Sequence, residues 1–182
     1  SLLFALFFVL SGFYSFSAVQ AIYNYKQFYA PKEGIYIENY LSFISSTLTY
    51  KTKENKPLQA RLMVTQILKR EGKIVDFKKY EILGPVLQDS IAVDFKDQKR
   101  FKVSPGIYEV DVEVIDLNEE NSTPVTSTRK IEIKSYDKAL NISDIELIDY
   151  FKKTGKEKNE FSKSGYDIYP MVSTYLSSEV EK

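Results

Sequence analysis

The residues best equipped for chemistry in this chain are its carboxylates. Glu109, Asp111 and Glu113 recur at every second position, and Glu119, Glu120 and Asn121 follow in a short polar stretch. A calcium ion or a general acid/base pair would draw on such oxygens. At a spacing of two along a strand, however, side chains on one face stand parallel and about 7 Å apart, too far to close around one ion unless a loop folds over them. The first group therefore reads as the solvated face of a strand. The second has oxygens for weak calcium binding but lacks the Asp-x-Asp-x-Asp-Gly spacing of a dedicated loop. The expectation is no catalytic residue, no metal ligand and no cofactor.

The composition narrows the chemistry further. The 182 residues include no His, no Cys and no Trp. Without imidazole or thiol, Ser-His-Asp and Cys-His catalysis, thiolate or His zinc sites and disulfides are all excluded. Lys plus Arg and Asp plus Glu both number 25, so no net field draws the protein to phosphate backbones, and nucleic acid is not an expected partner. The 14 Tyr and 12 Phe are numerous enough to raise carbohydrate binding on an exposed aromatic platform as an alternative. Most fall at inward-facing strand positions; Tyr23, Tyr25, Phe28 and Tyr29 read as core or interdomain contacts. Asn121-Ser122-Thr123 and Asn141-Ile142-Ser143 match the short N-glycosylation pattern, and Asp89-Ser90-Ile91 resembles an O-glycosylation acceptor of Bacteroidota.

The elements that must carry these groups are strands. In Ile107–Val114, Tyr108, Val110, Val112 and Val114 lie on one face and the three acids on the other, a period of two, with Pro105-Gly106 as the turn before it. Further strands are expected at Tyr36–Phe43, Thr47–Lys51, Leu58–Lys69, Ile74–Ile82, Ser90–Phe95, Arg100–Val103 and Arg129–Lys134. Their separators, among them Glu54-Asn55-Lys56-Pro57, Glu71-Gly72, Gly84-Pro85, Asp97-Gln98 and Asn118–Asn121, are too short for helical crossovers. An all-β chain of antiparallel strands follows, folded as an immunoglobulin-like or fibronectin-like β-sandwich.

Before the sandwich, Leu2–Leu10 is an uninterrupted apolar run, and the first charge is Lys26. The run is too short to span a bilayer but has the length of a signal-peptide core. Val19-Gln20-Ala21 offers a cleavage pattern, with Ala18 as a second scissile position. The expected organisation is a signal peptide over 1–21, a sandwich over 22–135, and a connector and the start of a further, truncated unit over 136–182. The chain is expected in the periplasm, at the outer membrane or outside the cell, touching membrane only through the leader. An uncleaved anchor or buried helix is the competing reading of the leader.

Four blocks carry a resemblance. Gln98–Val110 with Asp116-Leu117-Asn118, Tyr36–Phe43, Ile142–Leu147 and Ser164–Pro170 are similar, in content and order, to the N-terminal region of the secreted Bacteroidota proteins called the GWxTD-domain family. The resemblance implies export, a β-rich N-terminal region and a following domain. The naming Gly-Trp-x-Thr-Asp motif is absent, since the chain has no Trp. The function expected is that of a non-enzymatic module making protein–protein or interdomain contacts at the bacterial envelope. Its partner would be another protein or its own missing C-terminal domain; the alternatives are a carbohydrate-binding or adhesive module and the non-catalytic part of a truncated envelope enzyme.

Overall fold

The computed structural model describes residues 18–52, 57–137 and 141–173. The apolar run Leu2–Leu10 and the turn residues Glu54-Asn55-Lys56 lie outside them. Seven strands, β1 (Ala21–Ala30), β2 (Gly34–Phe43), β3 (Gln59–Arg70), β4 (Lys73–Val86), β5 (Phe95–Lys102), β6 (Gly106–Asp116) and β7 (Val125–Ile133), form two sheets of order β1-β2-β5 and β4-β3-β6-β7. All pairings are antiparallel. Ile37, Leu41 and Phe101 from the first sheet meet Leu62, Val64 and Val110 from the second in one buried core. The expected antiparallel β-sandwich is therefore the fold. A small third sheet, β8 (Ile148–Lys153), β9 (Ser162–Lys163) and β10 (Tyr166–Pro170), has the order β8-β10-β9.

The period-two pattern that marked β6 does what strand geometry requires. Tyr108, Val110, Val112 and Val114 are buried, each worth roughly 1.5–3 kcal/mol of apolar transfer if fully desolvated, while the intervening acids face outward. The entry to β6 is fixed by two devices. Gly106 has φ +144°, and an added Cβ would lie 3.0 Å from the Arg70 guanidinium. The Tyr108 hydroxyl donates to the Ser104 carbonyl at 3.0 Å and accepts from the Ser104 N–H at 3.2 Å. This reproduces the tyrosine corner found near the start of the equivalent strand in immunoglobulin-like sandwiches.

Several elements differ from the sequence expectation. Thr47–Lys51 is not a strand: Ser45–Thr47 forms a 3₁₀ turn, and the Thr49 backbone is taken by the Asp116 and Asn118 side chains. Ser90–Phe95 and Arg100–Val103 are replaced by the single strand β5, which runs straight through Asp97-Gln98. That pair was expected to turn, but it sits opposite Leu41 and Tyr40 of β2 in unbroken register. Ser90 instead occupies a tight turn with Asp89, at φ 62° and 49°. The expected strand at Arg129–Lys134 starts earlier, at Val125. Tyr23, Tyr25, Phe28 and Tyr29 lie on β1, a strand absent from those expected above, with Tyr23 and Tyr25 packed against the core. Part of the charged connector is also ordered as strand, since β8 includes Lys152 and Lys153.

Replacing Tyr108 by Phe keeps the ring in the core and removes both hydroxyl bonds. The expected result is a loss of about 1–2 kcal/mol in unfolding free energy with an unchanged m-value, read by urea titration.

Candidate interdomain interface

Alternation along β2 points Ile37, Asn39, Leu41 and Phe43 toward the second sheet and leaves Glu38, Tyr40 and Ser42 on the outer face. That face should be wet in a bare three-stranded sheet, yet Glu38 is 0% and Tyr40 1% exposed. The covering comes from beyond the sandwich. Lys163 of β9 reaches in and places its Nζ 2.7 Å from Glu38 Oε2 and 2.8 Å from Glu146 Oε2. Arg100, opposite Glu38 on β5, donates from Nε to Glu38 Oε1 at 2.8 Å. The Tyr40 hydroxyl lies 2.7 Å from Glu38 Oε2 and 2.8 Å from Glu146 Oε1; with one proton, it donates to one carboxylate at a time. Burial first, and then the Glu38 charge, push this hydroxyl far above the ordinary tyrosine range. Two carboxylates and two cations leave the cluster neutral, the condition under which buried charge is tolerated.

Around the cluster the chain is stitched to the sandwich edge. Asp144 accepts the Gln27 N–H at 2.8 Å, and its own N–H donates to the Gln27 carbonyl at 3.0 Å. Ser143 accepts the Tyr29 N–H at 3.2 Å, so the segment covers the otherwise open edge of β1. The Gln27 carboxamide closes the gap between the two sheets by pairing with both the carbonyl and the N–H of Lys134, at 2.6 and 2.9 Å.

The third sheet is organised by one buried carboxylate. Asp167 of β10 is 3% exposed and accepts from Ser162 Oγ at 2.6 Å and from Thr154 Oγ1 and Asn159 Nδ2 at 3.0 Å each. These bonds, that from Ser162 foremost, hold its carboxyl below the ordinary carboxylate range. Ser164-Gly165, at φ 49° and 88°, makes the turn between β9 and β10. Between this sheet and the sandwich lies a cleft of 590 Å³ bordered by Phe95, Lys96, Asp149, Tyr150 and Tyr169, with Lys96 and Asp149 paired across it.

A second polar system crosses the sandwich interior. Tyr23 donates to Asn39 at 3.1 Å, Asn39 to Gln66 at 3.0 Å, and Gln66 to the Tyr80 hydroxyl at 2.8 Å. Tyr80 in turn donates to Asp97, which Lys99 neutralises at 2.6 Å. Each group gives a proton to the next, so five strands are tied by one directed line. Burial raises the Tyr23 and Tyr80 hydroxyls well above the usual tyrosine value, the Asp97 charge adding to it at Tyr80.

The residues singled out for chemistry are not gathered into a site. Glu109 and Asp111 lie on the outer face of β6, where Lys69 pairs with both, at 3.6 and 2.5 Å, and Glu113 lies 3.5 Å from Thr65 Oγ1. Glu119, Glu120 and Asn121 occupy the β6–β7 turn, with Glu120 3.8 Å from Lys51. Asn121, Ser90 and Asn141 are exposed. Asn39, Gln66 and Glu38 were missed because each is a polar residue at a strand position that alternation assigns no role. Comparison of the chain with protein-family models, curated proteins and solved structures finds no match.

Replacing Lys163 by Met leaves Glu38 with Arg100 as its single cation and Glu146 facing the Tyr40 hydroxyl without the lysine. The variant should lose about 3 kcal/mol of stability and become cleavable by protease in 154–160 while the sandwich stays intact; Glu38→Gln in the same chain should restore part of the loss. Asp167 has a depressed folded pKa, so its contribution is complete above the ordinary carboxyl value of about 3.9 and is lost as pH falls through the lowered value. Asp167→Asn should therefore melt below the unmodified chain at pH 7, with the gap closing under acid titration followed by near-UV circular dichroism.

Proposed function

We propose that this chain is a non-catalytic, exported module of the bacterial envelope, whose sandwich acts as a seat for a neighbouring unit of its own chain or of a partner protein. The observation that carries the reading is Glu38. A carboxylate on the outward face of a sheet is ordinary in water, but this one is fully buried and is satisfied by Lys163 and Arg100 at 2.7 and 2.8 Å. Such a residue has a use only where something docks on that face. Its other neighbours, Tyr40 and Glu146, also fall in the blocks that carry the GWxTD resemblance, which supports a contact role for those blocks.

The carboxylates and hydroxyls that could have served a reaction are engaged in holding strands together, at Glu38, Asp97, Asp116 and Asp167. Export is supported by the apolar run Leu2–Leu10 and the small residues that follow it. Carbohydrate binding is less favoured: Tyr150 and Tyr169 are stacked on each other, with centroids 4.3 Å apart, so each spends a face that a sugar would use.

The reading is tested by fractionating cells that make the natural precursor, followed by crosslinking of intact envelopes. The unmodified protein should be found in the envelope or periplasm, crosslinked to a defined neighbour through the face of the third sheet. A product confined to the cytosol, or an envelope product that hydrolyses cell-wall or glycan substrates, would contradict it.

A further inference from the structure

The first residues of β1 and those just before it locate the point at which the leader ends, an inference that rests on the export reading above. Val19 is 5% exposed and belongs to the sandwich core, lining the space between β1 and β7 with Leu41, Val112 and Val114. The Gln20 backbone is held twice: its carbonyl accepts the Ile44 N–H at 3.0 Å, and its N–H donates to Thr47 Oγ1 at 3.0 Å. Ala21 is the first residue of β1 and stands in register with Phe43.

Three scissile bonds are open in the small-residue stretch Ser15-Phe16-Ser17-Ala18-Val19-Gln20-Ala21. Cleavage after Ala21 discards a core side chain, both Gln20 bonds and the first ladder pair. Cleavage after Ala18 keeps them but sets Phe16 three residues before the cut, where leader peptidases require a small residue. Cleavage after Ser17 keeps every contact and places Ser15 and Ser17 at the two small-residue positions. It also creates the new ammonium on Ala18, which is exposed, so no charge is buried. The peptidase acts on the unfolded chain, so the fold does not direct the cut. The fold reports which residues the finished domain uses, and a discarded leader has no reason to supply a core valine.

We propose that the leader is removed by hydrolysis of the Ser17–Ala18 amide, water adding to give the Ser17 carboxylate and the Ala18 amine, so that the mature protein begins at Ala18. The test is the intact mass and N-terminal sequence of the product exported by cells that make the natural precursor, with Ser17→Tyr and Ala21→Tyr as variants. A mature chain starting at Ala18, blocked by Ser17→Tyr and unaffected by Ala21→Tyr, is the expected result. A start at Ile22 overturns this assignment and leaves export standing; an uncut product held in the cytosol overturns both. As an independent measure, a chain beginning at Ile22 should melt roughly 5 °C below one beginning at Ala18, and equal melting would remove the structural ground for the assignment.

Discussion

The arrangement depends on the desolvation of one carboxylate. An ionised Glu taken out of water without partners costs more than a domain of this size can spare, so the burial of Glu38 is possible only because two cations and a phenol meet it. One cation, Arg100, is supplied by the neighbouring strand β5. The other, Lys163, comes from a position 125 residues further along the chain. The third sheet is thereby tied to the outer face of the sandwich by charge and hydrogen bonding, and Glu146 must lie close enough to share the lysine. The result is a strand, β2, that is covered on both faces although its sheet has only three members.

The same logic governs the interior. Apolar side chains fill most of the space between the sheets, but the line from Tyr23 through Asn39, Gln66 and Tyr80 to Asp97 gives the packing an address. A slip of one residue in β2 would turn Glu38 into the apolar core and Asn39 out of its bonds, so the polar groups on its two faces specify one register between them. Five strands contribute a single group each, and no partner can be exchanged without leaving a buried donor or acceptor unmade.

What could be read from the residues follows from how local the signal is. The β6 pattern was legible because its faces are chemically pure, Val and Tyr on one side and acids on the other. β1 was not, because Ala21–Ala30 sets Gln27 among the tyrosines of one face and Ile22 and Phe28 beside Asn24 and Lys26 on the other, and its edge position makes alternation weak. β5 was cut in two because Asp97-Gln98 has turn chemistry in isolation; only the pairing with β2 and the donors from Tyr80 and Lys99 make it a strand. The absence of His and Cys was decisive for excluding whole classes of catalysis and needed no structure. The Glu38 cluster was out of reach for the opposite reason: its members lie at positions 38, 40, 100, 146 and 163, and no spacing rule links them. Three of the quoted blocks, Tyr36–Phe43, Gln98–Val110 and Ile142–Leu147, do contribute to it, so their content marked the place without revealing the contact.

The segment 141–170 is held on the outer face of β1-β2-β5 as part of the folded molecule. Amide hydrogen exchange of the intact chain reads this docking. Slow exchange is expected at Asp144, Ile168 and Met171, whose N–H groups are bonded to Gln27, Phe161 and Leu147, at rates within reach of those of the sandwich strands. Exchange of these three amides at the rate of an unstructured peptide, beside a protected β2 and β6, would contradict it.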